Sequence, residues 1–226
     1  MTQIEKSTFK FLKDIRKNNN RPWFEKNKAK YAIMHENLIS FAEDLMSEFS
    51  KSDNIVPMTG KKSLHRIYRD VRFSKDKTPY KSYMSGRMKR DTDWLRGGYY
   101  YHLEPGNSFL ALGFWNPEAS DMKLIRDNIA QDDKPLRKIL NSKKIRDTFE
   151  LHGNQLKTAP KGFPKDHPAI DLLRYKQLVL MRSFTDKQTL DKHFLRECVK
   201  TFKAARPFLD YMSMILTHDL NGEPLY

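Results

Sequence analysis

The feature that most constrains the fold of this chain is a change in the spacing of its apolar residues. They recur at helical steps over residues 9–15 and again from Trp23 to about Ser50, with Asn18-Asn19-Asn20 between the two stretches. Over residues 64–114 the period approaches two, which is typical of strands. The chain is therefore predicted to begin with two helices and to continue into a sheet.

The second half of the chain returns to helical spacing. Helices are predicted between Asn116-Pro117 and Phe149, an irregular loop over residues 154–168, and a central strand within residues 175–184. A capping box at Thr185 and Gln188 predicts further helix, which Pro207 should kink or split. This order indicates an α+β fold, in which N-terminal and C-terminal helices pack on a central, mainly antiparallel sheet. One domain over residues 1–226 is expected.

Two parts of the predicted sheet have distinct signatures. Residues 98–103 and 109–115 flank Pro105-Gly106-Asn107, which predicts a hairpin. Residues 66–73 are predicted to form a first strand, because apolar and polar side chains alternate there. In that strand one face would hold Arg66, Tyr68, Asp70 and Arg72, and the other face would hold Ile67, Arg69, Val71 and Phe73.

Positive charge is concentrated around the predicted first strand. The chain has a net charge of +14, and residues 61–90 contain eleven Lys or Arg against two Asp, a surplus of 11 − 2 = +9. Residues 66–81 read RIYRDVRFSKDKTPYK, so the cations alternate with apolar and aromatic side chains. A surplus of this kind favours association with anions at neutral pH.

The sequence therefore predicts an anion-binding site in this segment, for nucleic acid or a phosphorylated small molecule. Guanidinium groups match phosphate and carboxylate in a bidentate manner. Two further lysines in the proline-rich loop are expected to complete the site. The predicted contacts are Arg66, Arg69, Arg72, Lys75, Lys77, Lys81, Lys157 and Lys161. The alternative is an ordinary solvated strand face, where Asp70 and Asp76 pair locally with the cations.

Two other functions are compatible with the same residues. An enzyme acting on a phosphate- or carboxylate-bearing substrate would use Arg66 and Arg72 as a clamp, with Asp70, His102 or Tyr100 as the acid or base. Convergence of Asp70 and His102 on one cavity would favour the enzyme, and a flat, open basic face would favour binding. The third hypothesis is an interaction module for an acidic partner.

Several other functional classes have no signature in the sequence. The single cysteine, Cys198, excludes an intramolecular disulfide, and no histidine or cysteine spacing indicates a metal site. Glycine-rich nucleotide motifs are absent, so no cofactor is expected. No apolar run is long enough to cross a bilayer, and a cytoplasmic protein without a membrane partner is expected. The oligomeric state is left open.

Four stretches of the chain also carry a family resemblance. They are NNNRPWFEKNKAKY (18–31), RIYRDVRFSKDKTPYK (66–81), GGYYYHLEPGNSFLALGFWNP (97–117) and LKTAPKGFPKDHP (156–168). With these stretches in this order over nearly its whole length, the chain resembles the domain-of-unknown-function 2461 family of bacterial and fungal proteins. The resemblance implies a single-domain extent and carries over no activity, cofactor or catalytic residue.

Overall fold

The computed structural model describes residues 1–225. Its helices are α1 (Lys6–Lys17), α2 (Arg21–Lys26), α3 (Lys28–Phe49), α4 (Gly60–Ser63), α5 (Ala119–Gln131), α6 (Lys134–Leu140), α7 (Lys143–Arg146), α8 (Ile170–Leu173), α9 (Asp186–Thr189) and α10 (Phe194–Thr217). Its strands are β1 (Met84–Lys89), β2 (Gly98–Leu103), β3 (Ser108–Phe114), β4 (Glu150–His152) and β5 (Leu178–Phe184). Each helix among these residues is too short or too polar to span a bilayer.

The strands form one five-stranded antiparallel sheet in the order β1-β2-β3-β5-β4. The predicted hairpin is confirmed, because β2 and β3 flank the turn in which Gly106 adopts a φ of 83° and the Asn107 N–H donates to the Glu104 carbonyl at 2.9 Å. The predicted interior strand is also confirmed, since β5 lies between β3 and β4. Together with the helices before and after it, this sheet confirms the α+β class.

The chain contains two compact units. The first comprises Met1–Met88, Tyr100–Leu110 and Ser183–Lys200, and the second comprises Lys89–Tyr99, Ala111–Arg182 and Thr201–Tyr226. In the first unit Tyr101 of β2 packs edge-on against Phe41 of α3, with ring centroids 6.0 Å apart. In the second unit Tyr99 packs against Phe202 of α10 at 5.1 Å. One domain over residues 1–226 stays a prediction.

The N-terminal helices differ from the expected pattern at one point. Asn20 caps α2, since its side chain accepts a hydrogen bond from the Trp23 N–H at 3.0 Å. The single helix predicted from Trp23 to Ser50 is broken at Asn27, whose backbone leaves the helical region with φ −112° and ψ 16°. The Asn27 side-chain amide donates to the Trp23 carbonyl at 2.9 Å, in addition to the backbone N–H of Asn27 at 3.1 Å, so both donors of this residue close the end of α2.

The predicted first strand over residues 66–73 is wrong. The segment is a loop that pairs with its own return arm by one isolated bridge, Tyr68 to Tyr80. Local bonds replace a strand ladder, because the Arg72 N–H donates to the Asp70 carboxylate at 3.2 Å and the Ser74 N–H donates to the Val71 carbonyl at 3.3 Å. The first strand of the sheet is instead β1, which begins eleven residues after Phe73.

The C-terminal helix does not divide at Pro207, because α10 continues through it. Phe208 and Leu209 directly after the proline, and Ala205 before it, are fully buried. Packing on both sides therefore compensates for the one backbone hydrogen bond that proline cannot make. The predicted capping box at Thr185 and Gln188 is confirmed, although it caps the four-residue α9.

Candidate functional site

Residues 66–81 form an anchored loop, which we call the basic loop. At its return end Tyr80 is only 3% exposed and stacks on Phe24 with ring centroids 4.2 Å apart. The Asn19 side chain bonds to both backbone groups of Tyr80, donating to the carbonyl at 2.8 Å and accepting from the N–H at 3.0 Å. Backbone bonds from Arg69 to Pro79 and from Lys81 to Ile67 close the base of the loop.

Arg69 is held inside the basic loop by a carboxylate. Its Nη1 donates to Asp76 Oδ2 at 2.5 Å, to the Thr78 carbonyl at 3.2 Å and to the Thr78 hydroxyl. The Thr78 N–H donates to the other Asp76 oxygen at 2.9 Å. These bonds, first that of the Thr78 backbone and then that of Arg69, lower the pKa of Asp76 to about 2. Arg69 is therefore a neutralised element of the loop structure.

Arg72 is also paired. It forms a bidentate bridge to Asp70, with Nε to Oδ1 at 3.0 Å and Nη2 to Oδ2 at 2.7 Å. The side-chain and backbone bonds from Arg72 lower the pKa of Asp70. The other cations of the basic loop form no salt bridge among residues 1–225. They are Arg66, Lys75, Lys77 and Lys81.

Lys81 lies where the basic loop meets β1. Its ammonium donates to the Arg66 carbonyl at 2.8 Å and lies 5.8 Å from the centroid of the Tyr83 ring. Burial, and then the charge of Arg66, lower the pKa of Lys81. Lys81 is therefore a half-buried ammonium whose charge is opposed by that of Arg66.

A hydrogen-bonded row of side chains, which we call the sheet-face network, lies next to Lys81. His65 Nδ1 is 3.0 Å from Ser85 Oγ, and Ser85 also bonds to the Tyr100 hydroxyl. The Tyr100 hydroxyl lies 3.0 Å from His102 Nδ1. His102 Nε2 lies 3.0 Å from Glu104 Oε2. Tyr100, His102 and Glu104 occur at two-residue steps because alternate residues of a strand share a face.

The charge on Glu104 is already balanced. Burial acts to raise the pKa of Glu104, but hydrogen bonds from His102 and Asn107 outweigh it and leave the pKa below its ordinary value. Arg16 Nη2 also donates to this carboxylate at 2.8 Å. An ionised carboxylate only accepts hydrogen bonds, so His102 Nε2 carries the proton in its bond to Glu104. His102 Nδ1 is then the acceptor for the Tyr100 hydroxyl.

The histidines of the network are neutral at pH 7. Burial lowers the pKa of His65, and the charges of Lys81 and Arg87 lower it further. Burial also lowers the pKa of His102, with Lys81 contributing and Glu104 opposing. We call Arg66, Lys81, Arg87 and His65 the cationic patch. None of its three permanent charges forms a salt bridge among the described residues, although the charge of Arg66 contributes to the lowered pKa of Asp70.

Only some of the sequence-predicted residues are hydrogen-bonded to one another in the structure. Tyr100 and His102 are directly bonded, whereas Asp70 bonds to Arg72 and makes no hydrogen bond to either of them. Lys157 and Lys161 are exposed in the loop between β4 and α8 of the second unit. Among residues 1–225 no group of three or more histidine, cysteine or carboxylate side chains is placed to hold a metal ion.

Sequence reasoning missed two members of the cationic patch. Arg87 was counted in the charge surplus but was not assigned to a strand, although residues 84–89 alternate between buried and exposed positions at their end. His65 gave no local signal, because its partner Ser85 is twenty residues away. The exposure of Phe73 was also missed, since the strand pattern placed it on the face of the buried Ile67.

The comparisons with known proteins agree with the resemblance found in the sequence. A family model described as a conserved hypothetical protein (DUF2461) matches residues 7–211 of the 226. The comparison with curated proteins and the comparison with solved structures find no match. The family model covers the basic loop, the sheet-face network and most of α10. The chain therefore belongs to the DUF2461 family of conserved hypothetical proteins.

Proposed function

We propose that this protein binds phosphate-bearing anions at the cationic patch. The observation that supports the proposal is the position of Lys81, a half-buried ammonium whose pKa is lowered by burial and by the charge of Arg66, and whose described hydrogen-bond partner is a carbonyl oxygen. Buried charges in proteins are usually paired. An anion from solution would supply the opposite charge that the described residues do not.

The surroundings of Lys81 favour phosphate as the anion. Arg66 and Arg87 offer guanidinium groups that match two phosphate oxygens, and His65 adds a ring that an adjacent anion would help to protonate. Glu104 does not compensate these charges, because Arg16, Asn107 and His102 already occupy it. Both nucleic acid and a phosphorylated small molecule contain the required group.

Calorimetric titration with inorganic tripolyphosphate at pH 7.5 and low salt tests this function. Wild-type protein is expected to bind, and Lys81→Ala is expected to bind at least about tenfold more weakly, since a contact to a charged group contributes roughly 1.5–3 kcal/mol. Lys10→Ala is the matched control, because Lys10 is exposed on α1 and lies outside the patch. Equal affinity of the two variants, or no binding by wild-type protein, would refute the proposal.

A second function is favoured by one specific observation, the chain of bonds from Glu104 through His102 to Tyr100. In this arrangement His102 is oriented to take a proton from the Tyr100 hydroxyl, while Glu104 stabilises the positive ring that results. An enzyme that holds the phosphate of its substrate at the cationic patch would use Tyr100 for proton transfer. Burial raises the pKa of Tyr100, so the hydroxyl is protonated at pH 7.

The two functions give different results with one variant. Tyr100→Phe removes the transferable proton and leaves Arg66, Lys81 and Arg87 in place. If the protein is an enzyme, hydrolysis of a generic phosphate ester such as p-nitrophenyl phosphate should occur with wild-type protein and be lost in Tyr100→Phe, with tripolyphosphate affinity unchanged. If wild-type protein binds tripolyphosphate and hydrolyses no phosphate ester, the binding function alone is supported.

A further inference from the structure

We propose that the basic loop binds single-stranded nucleic acid by stacking the Phe73 ring on a base. This inference rests on the proposed function, since it names the class of phosphate-bearing ligand. Phe73 is 96% exposed, more than any other large apolar residue of the described chain. Phe73 lies within a tight turn at the tip of the loop, because the Ser74 N–H donates a hydrogen bond to the Val71 carbonyl. Its ring is thus presented to solvent.

The tip of the loop is held in shape by its own side chains. Asp70 bridges the Arg72 side chain and backbone N–H, and Lys77 Nζ donates to the Val71 carbonyl at 2.9 Å. Asp76 connects the return arm to Arg69. A loop that is ordered before binding loses little conformational freedom when the ligand arrives. These bonds explain how an apolar ring can stay exposed at a fixed position instead of folding back onto the protein.

Cations flank the Phe73 ring on both sides in the sequence. The Arg72 guanidinium lies 5.8 Å from the Phe73 centroid, and Lys75 and Lys77 follow it along the loop. An open groove of about 710 Å³ lies against the return arm, and its lining includes Arg21, Lys77 and the carboxylate of Asp76. Aromatic stacking next to a positively charged groove is the pattern by which proteins bind single strands without reading their sequence.

A single strand fits these features better than a lipid surface does. An unpaired base offers a flat face of about the size of one phenyl ring, and its phosphates match the lysines. Stable attachment to a membrane needs a larger apolar surface or a second anchoring signal. At the tip of the basic loop Phe73 is flanked by the charged Arg72 and the polar Ser74, and no apolar patch extends the ring.

Fluorescence anisotropy with a fluorescein-labelled twelve-residue oligothymidylate tests the inference at 50 mM salt. Phe73→Ala is expected to weaken binding by about tenfold or more, because stacking on an aromatic side chain contributes strongly for each base. Phe73→Trp should keep wild-type affinity and show quenched tryptophan fluorescence on binding. Ile33→Ala is the matched control, since Ile33 is an exposed apolar residue of α3 away from the loop. It should bind like wild-type protein.

The same variants separate the inference from the proposed function. Tripolyphosphate has no base, so Phe73→Ala should bind it with wild-type affinity. If wild-type protein binds tripolyphosphate but Phe73→Ala binds the oligonucleotide as well as wild type does, the stacking inference is overturned and the anion site stands. If neither ligand binds, both fail. Phe73-dependent binding to phosphatidylserine vesicles, with no binding to the oligonucleotide, would overturn the inference in favour of a membrane.

Discussion

The division of the basic loop into paired and unpaired cations predicts the salt dependence of oligonucleotide binding. Asp76 neutralises Arg69 and Asp70 neutralises Arg72, which leaves four cations of the loop to meet phosphates. For a single strand, four contacts give a slope of about −2.8 in log affinity against log salt, so binding should weaken about 50-fold between 50 and 200 mM salt. If all six cations of the loop acted, the slope would be about −4.2.

Removing one carboxylate should increase this dependence. Asp70→Asn frees the charge of Arg72 while the amide oxygen still accepts the Arg72 N–H, so the slope is expected to steepen to about −3.5, a loss of about 130-fold over the same salt range. Lys77→Ala should reduce the slope to about −2.1, because it removes an unpaired cation. Arg72→Ala is the matched control for Lys77→Ala, and its slope should stay close to that of wild-type protein.

Anisotropy titrations at four salt concentrations between 50 and 200 mM measure these slopes. Circular dichroism and the urea midpoint of each variant check that the fold is retained. Equal slope changes in Arg72→Ala and Lys77→Ala would show that a cation paired with a carboxylate contacts phosphate as readily as an unpaired one. That result, or an unchanged slope in Asp70→Asn, would refute the charge assignment derived from the structure.

Four further predictions concern pH and stability. The pKa of His65 is lowered by burial and neighbouring cations and would be raised by a bound anion. Oligonucleotide affinity should therefore rise as the pH falls from 8 to 6. The variant His65→Gln, titrated in the same way, should lose most of that rise. Because the lowered pKa makes protonation favour the unfolded chain, the unfolding free energy measured with urea should be highest above the ordinary value of 6.5 and fall as pH drops below it. Asn19→Ala removes both bonds to the Tyr80 backbone and should lower the urea unfolding free energy by about 1–3 kcal/mol, whereas a loss near zero would mean that water replaces the amide. Gly86→Ala would place a Cβ 2.1 Å from the buried Tyr101 hydroxyl oxygen and should cost about 1–3 kcal/mol in the same assay; a variant as stable as wild type would show that the tyrosine can move aside.

Much of the fold could be predicted from local pattern. The hairpin was found at nearly its observed bounds, because Pro105-Gly106-Asn107 supplies turn chemistry and the flanking residues alternate. Local pattern also predicted the end of α1 at the asparagines, the interior strand β5 and the capping box. In each case residues within about ten positions of one another determine the local structure.

The sequence indicated where the candidate site lies in the chain, but it did not indicate which side chains contact one another there. The surplus of charge in residues 61–90 identified the segment. The sequence could not decide which arginines are neutralised, since Asp70 and Asp76 were each within reach of several cations. The prediction of a strand over residues 66–73 was wrong because hydrogen bonds from side chains to the backbone took the place of hydrogen bonds to a neighbouring strand.

The sequence by itself determined the apolar faces of the main helices and of the hairpin, and how much positive charge the protein carries, because periodicity and composition are local properties. Only the tertiary structure decided that the charges of Lys81 and Arg87 both act on His65, that Asn19 anchors a loop sixty-one residues away, and that Phe73 is exposed to solvent. The physical reason is one of range. Hydrophobic periodicity acts along a single helix or strand, whereas the partner of a charge or an amide depends on which distant segments the fold brings together.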